Sequence, residues 1–217
     1  GKEGGKSPVT GGRIIAGLVP ANAIPDEVLS DHPDHYRAMI IESGNPAHSL
    51  PDSPKWREAM RALECSVVID IAMTETAREA DYVLPTTTQY EKAEASFFNF
   101  EFPENYFHVR APLFTPPQGV LDEAEIHARI TTAMGAIPQG LEEALNATLQ
   151  SEGRQGYREL VFKKLAEDPG LINIAPVLLY RTLGKTLPNQ MQNAAAIWAI
   201  CHRHAMANRK SVEATGV

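Results

Sequence analysis

The chain has 217 residues, 43% hydrophobic and 22% charged, a balance that excludes wholesale disorder and supplies enough apolar material for a packed core. Twenty Lys and Arg against 27 Asp and Glu leave a net charge of -7, so no chain-wide field draws in nucleic acid or anionic lipid, and any anionic ligand must be held locally. No apolar run reaches membrane-spanning length, and the widely separated Cys65 and Cys201 read as reduced thiols of a cytoplasmic protein, with a single bridge between them left open.

Residues 1–36 are rich in Gly, Pro and Asp and read as an entry segment, mostly loop, with one strand or helical turn around Ile14-Ile15 and Leu18-Val19. Gly1 to Ser7 has the composition of a linker, and the chain is expected to be an interior piece of a longer one. Arg37 to Glu42 is a short apolar run closed by the turn signal Ser43-Gly44-Asn45-Pro46, which predicts a buried strand. Asp52-Ser53-Pro54 supplies a cap and a first-turn proline. From Lys55 to Leu63, the residues Trp56, Ala59, Met60 and Leu63 mark one face of a helix.

Cys65 to Asp70 is a second apolar run, Thr74 to Ala80 reads as a short helix, and Tyr82 to Leu84 is a third strand stopped by Pro85. Strands without internal polar alternation, separated by helical periods, predict a parallel sheet covered by helices on both faces. Ligands of such sheets sit outside the carboxyl ends of the strands, so Asn45, Asp70 and the segment after Pro85 are expected on one rim. Seven aromatics between Tyr90 and Phe107, interrupted by Pro103 and followed by more prolines, read as a packed functional loop. Glu123 to Met134 is expected to be helical. Leu141 to Val217 is expected to be a set of helices broken at Asp168-Pro169-Gly170 and from Gly184 to Pro188.

Familiar motifs are mostly excluded. Gly1 to Ser7 is one residue short of a P-loop, no G-x-S-x-G elbow or G-x-G-x-x-G fingerprint occurs, and Cys201, His202 and His204 bring at most two ligand-type side chains to one helical face. Asp70 is the notable residue. A carboxylate at a strand's carboxyl end accepts two parallel hydrogen bonds, as guanine's N1-H and amino group would donate, or it caps the next helix. Asn45 serves a ligand's polar edge or holds its turn, and Lys92 meets a phosphate or pairs with a neighbouring Glu.

The string from Glu42-Ser43-Gly44-Asn45-Pro46 through Val67-Val68-Ile69-Asp70, Thr74-Glu75-Thr76-Ala77-Arg78-Glu79-Ala80-Asp81-Tyr82-Val83-Leu84-Pro85 to Glu91-Lys92 resembles the third domain of the dimethyl sulfoxide reductase family. These are oxidoreductases that carry bis-molybdopterin guanine dinucleotide (bis-MGD). Phe107 to Pro112 and Glu125 to Ile130 resemble a formate dehydrogenase-like subgroup. The resemblance implies a three-layer, Rossmann-like α/β domain over residues 37–135, followed by a helical extension over residues 136–217. It implies guanosine-nucleotide contacts at Asn45, Ile69, Asp70 and Lys92, and more loosely at Glu125, with no catalytic residue and no metal ligand in this chain. The parent enzyme would hold molybdenum or tungsten and an iron-sulfur cluster through its remaining domains, and would serve an electron-transfer partner. Two rivals stand beside this reading: a non-catalytic scaffold that retains the fold without cofactor, and a free-standing nucleotide-binding module.

Overall fold

A computed structural model of the chain describes residues 5–15, 17–96 and 106–216. Packing divides the chain into two compact units, Gly1–Thr86 and Thr87–Val217.

In the first unit, β1 (Ala38–Glu42), β2 (Cys65–Asp70) and β3 (Tyr82–Pro85) pair in parallel in that order, as the apolar runs predict. The register sets Ile41 beside Val68 and Val68 beside Val83. Because side chains alternate across a strand, these three share a face with Met39. Against that face pack Val28 of α1 (Ile24–Val28) and Ala59 and Met60 of α3 (Ser53–Ala62), together with Leu63. α3 starts where its sequence says it should: Asp52 adopts the left-handed conformation and its Oδ1 accepts from the Lys55 amide at 3.2 Å, with Pro54 in the first turn. α2 (Pro46–Ser49) is a single turn between β1 and α3.

Two expectations need correction. The opposite sheet face carries Ile40, Val67, Ile69 and Tyr82; Ile69 is fully buried, but Ile40 is 50% and Tyr82 62% exposed, so among the described residues the cover of this face is incomplete. Apolar strand sequence reports that a face is destined for burial, not which segment buries it. Between β2 and β3 only a 3-10 turn, Ala77–Glu79, forms instead of a helix from Thr74 to Ala80. The span back to β3 is short, and the amide and hydroxyl of Thr76 are committed to Asn45 rather than to a helical ladder.

The entry segment is more ordered than its composition suggests. Isolated bridges join Lys6 to Arg13 and Ile15 to Leu18. The Glu27 side chain on α1, fully buried, accepts from the amides of Val9 and Thr10, each at 2.9 Å, and from the Thr10 hydroxyl at 2.6 Å.

The second unit opens with a short antiparallel pair, β4 (Glu94–Ser96) and β5 (His108–Arg110). The aromatic residues Phe97, Phe98, Phe100 and Phe102 lie outside the described residues. Helices follow: α4 (Glu123–Ala133), α5 (Leu141–Glu167), α6 (Ala175–Arg181), α7 (Ala195–Ala207) and α8 (Arg209–Ala214). Asp122 caps α4, and the break between α5 and α6 falls at Asp168-Pro169-Gly170 as expected. Leu141, Leu145, Tyr157, Leu178 and Leu183 form the core, with the Tyr157 hydroxyl 2.6 Å from Thr182 Oγ1. Among the described residues, no helix is long and apolar enough to cross a membrane. Both cysteines are free.

α5 contains a break that periodicity does not reveal: Gly153 sits at φ 68°, ψ -163°, a region open essentially to glycine alone. Nothing lies within 4 Å of the place a Cβ would take, so the constraint is purely one of backbone. Gly153→Ala is expected to destabilise the second unit by about 1–3 kcal/mol in urea unfolding. A stabilised variant would mean that the helix straightens freely, since Ala favours a helix over Gly by about 1 kcal/mol.

Candidate functional site

Parallel pairing gathers the carboxyl ends of β1, β2 and β3 on one edge, with Glu42 beside Ile69 and Asp70 beside Pro85. Asn45 and Asp70 therefore share a rim. Just past β1 the Ser43 amide donates to the Ile69 carbonyl at 3.0 Å. Ser43 itself turns into the left-handed region at φ 52°, a conformation uncommon outside glycine, and this bends the chain toward Asn45.

Asn45 is a clamp. Its Oδ1 accepts from the Thr76 amide at 3.2 Å and from the Thr76 hydroxyl at 2.8 Å, while its Nδ2 donates to Glu75 Oε2 at 2.7 Å. Thr76 is fully buried and its Oγ1 also accepts from the Ala47 amide at 3.0 Å. The hydrogen bond from Asn45 is the main cause that holds the Glu75 carboxyl below the usual carboxylate range, and His48 adds to it with Nδ1 3.8 Å from Glu75 Oε1. These bonds tie the turn after β1 to the segment after β2. Both lone pairs of the Asn45 carbonyl are used, so its amide group has only a second N-H left to offer a ligand.

Asp70 is the opposite case. One carboxylate oxygen accepts from the Ala72 amide at 3.2 Å, closing a turn and capping no helix. Its other oxygen carries no hydrogen bond within the described residues. Beyond it the rim is open, with Ile71 63% and Met73 57% exposed. Ile69 is fully buried, and its carbonyl is the one that Ser43 uses, so its side chain is closed to a ligand.

Lys92 and Glu125 lie in the second unit, and each has protein partners. Lys92 Nζ is 2.5 Å from Glu123 Oε1 in a half-sheltered pair, rather than beside the neighbouring Glu91, whose carboxylate holds the amide and hydroxyl of Thr88. Glu125 accepts from the Tyr180 hydroxyl at 3.0 Å and from Arg129 at 2.8 Å. Burial, then the charges of Asp122 and Glu125, push the Tyr180 hydroxyl well above its ordinary pKa, so it acts here as a donor. Burial likewise raises the Asp122 carboxyl. None of Glu75, Thr76, Glu123 or Tyr180 stands out in the sequence as a site residue, because their partners are brought together only by folding. Among the described residues, no group of three or more His, Cys, Asp or Glu side chains could hold a metal ion.

Residues 11–112 match the family model of the molybdopterin oxidoreductases. Over that span the chain is related to these enzymes. The match covers β1, β2 and β3 with Asn45, Ile69, Asp70 and Lys92, and stops short of Glu125 and the C-terminal helices. The "Probable oxidoreductase YyaE" of Bacillus subtilis is 27% identical over 156 residues, covering 66% of this chain and 23% of that protein. A trimethylamine-N-oxide reductase of Vibrio cholerae is 40% identical over 57 residues, 26% of this chain and 7% of the reductase. A formate dehydrogenase alpha subunit of Methanocaldococcus jannaschii is 36% identical over 75 residues, 35% of this chain and 11% of that subunit. The matched part of the chain thus spans less than a quarter of each of these relatives.

Proposed function

We propose that residues 37–135 hold the guanosine end of one MGD in a molybdenum or tungsten oxidoreductase of formate dehydrogenase-like type. In this reading, residues 1–36 form an entry segment and residues 136–217 a helical extension. The observation that carries it is the unengaged oxygen of Asp70 at the carboxyl rim of a parallel sheet, inside the span matched by the family model. A guanine edge presents two adjacent donors, and a carboxylate half-committed to a weak 3.2 Å turn bond has the capacity to receive them. Asn45 then acts by fixing the rim through Thr76 and Glu75, and Ile69 contributes backbone only. Lys92 reaches a pterin or phosphate oxygen by exchanging Glu123, and Glu125 stays with Tyr180.

When bound, the cofactor supplies the metal and dithiolene chemistry, while the chain binds and orients it. The remaining domains of the parent enzyme supply the metal ligand and the iron-sulfur cluster, cover the open face at Ile40 and Tyr82 to complete a three-layer domain, and pass electrons to a partner in the cytoplasm. The rival reading, a scaffold without cofactor, is favoured by one feature: Asn45 and Lys92 are already satisfied by protein groups.

The test compares the parent enzyme with this chain, measuring molybdenum or tungsten together with the GMP released by hydrolysis. Stoichiometric metal and GMP are expected in the parent, and neither in the isolated chain, where a cofactor held from one side loses most of its buried area. A metal-free, GMP-free parent would establish the scaffold reading. Metal retained by this chain alone would overturn the proposed division of labour.

A further inference from the structure

The helical extension carries an open cavity of about 360 Å³ lined by Arg154, Gln155, Arg158, Trp198 and His202. Arg154 and Arg158 stand one turn apart on α5, just after the break at Gly153, and Trp198 and His202 stand one turn apart on α7. Six arginines of the chain pair with carboxylates, Arg37 with Glu64, Arg57 and Arg61 with Glu79, Arg129 with Glu125, Arg181 with Glu142 and Arg209 with Glu213, and Arg110 donates to the carbonyls of Gln89 and Ala111. Neither Arg154 nor Arg158 makes such a pair among the described residues. Two like charges one turn apart repel each other. Glu159 is bonded to Gln155 Nε2 at 3.2 Å, and Glu152 is folded over Gly156, where an added Cβ would lie 2.4 Å from the Glu152 Cβ.

The aromatic wall is fixed from behind. The Trp198 ring meets the fully buried Tyr157 ring edge-on, 5.7 Å away at 61°, and the His202 ring lies 4.5 Å from the indole at 69°. Packing therefore holds the imidazole against the indole, and it lines the same cavity as the two arginines. A carboxylate has two oxygens and would leave part of this donor set idle, whereas three terminal oxygens can use both forks and the ring N-H. An adjoining indole adds contact area for an aromatic substituent.

We propose that this cavity binds a phosphate monoester dianion, with an aromatic ester preferred over inorganic phosphate. It shares no residue with the rim of Asn45 and Asp70, and it stands or falls independently of the cofactor reading.

Calorimetric titration of the 217-residue chain with inorganic phosphate and with phenyl phosphate, at constant ionic strength and with chloride as the control anion, tests this. Saturable binding is expected, tighter for phenyl phosphate. Arg158→Ala should weaken it about tenfold or more, and Trp198→Leu should abolish the preference for the ester. Glu159→Gln should tighten binding a few-fold by removing a negative charge bonded to the cavity residue Gln155, a gain that loss of fold cannot imitate. Absence of saturation at constant ionic strength, or equal binding by an Arg154→Ala/Arg158→Ala double variant with unchanged circular dichroism, would overturn the proposal. Saturable inorganic phosphate with no advantage for the ester would remove the aromatic part and leave a site for free phosphate.

Discussion

Asp70→Asn in the parent enzyme is expected to lower MGD content per folded polypeptide. The exchange replaces one acceptor oxygen by an NH2 that faces a donor on guanine, so a charge-assisted bond is lost and a donor is left unpaired. Together these cost on the order of 2–4 kcal/mol of cofactor affinity, or roughly 30- to 1,000-fold in Kd. The local fold should not change, because asparagine retains a carbonyl oxygen to accept from the Ala72 amide. That separates the outcome from simple misfolding. MGD is measured in wild type and variant at matched folded protein, and the deficit is expected as incomplete loading during assembly. Equal content in the two proteins would remove Asp70 from the site and leave it as a turn-forming residue.

A second large effect is expected at the entry segment. Glu27 is fully buried, and burial by itself would push its carboxyl up, but the hydrogen bonds from Ser7, Thr10 and the amides of Thr10 and Val9 outweigh it and bring the pKa from 4.5 to about 2. Glu27→Ala removes every one of these acceptor contacts at once and leaves sheltered amides without partners, at a cost of about 2–4 kcal/mol. Urea unfolding followed by the buried Trp56, in a Trp198→Phe background, reads the first unit. The pH dependence has a definite sign. A carboxyl whose folded pKa lies below its unfolded value contributes its full stability above about pH 4.5, and loses it as pH falls toward 2. Wild type should therefore lose stability through that window more steeply than Glu27→Ala. Parallel profiles would show that the carboxylate is not what pins the entry loop.

The three strands and α3 of the first unit were legible from the residue pattern, whereas α1 and the 3-10 turn before β3 were not. Apolar strands ending in Glu42, Asp70 and Pro85, the cap at Asp52 and the periodicity of Ala59, Met60 and Leu63 each follow from interactions within a few residues, so a linear reading finds them. The rim itself was equally legible, because parallel strands must place their carboxyl ends together. What a side chain does on that rim depends on partners brought from elsewhere. Asn45 and Asp70 look alike in sequence, as polar residues after apolar runs, yet one is spent on Thr76 and Glu75 and the other keeps a free oxygen. Glu27 lies in a segment that reads mostly as loop, and nothing local marks it as buried until the amides of Val9 and Thr10 fold over it. Lys92 meets Glu123 rather than Glu91 for the same reason. Chain-local energetics therefore determined the strands, the capped helix and the direction of the sheet. Only the tertiary structure decided which polar groups are consumed by the protein and which are left for a ligand, because a hydrogen bond between residues distant in sequence depends on the fold of everything between them.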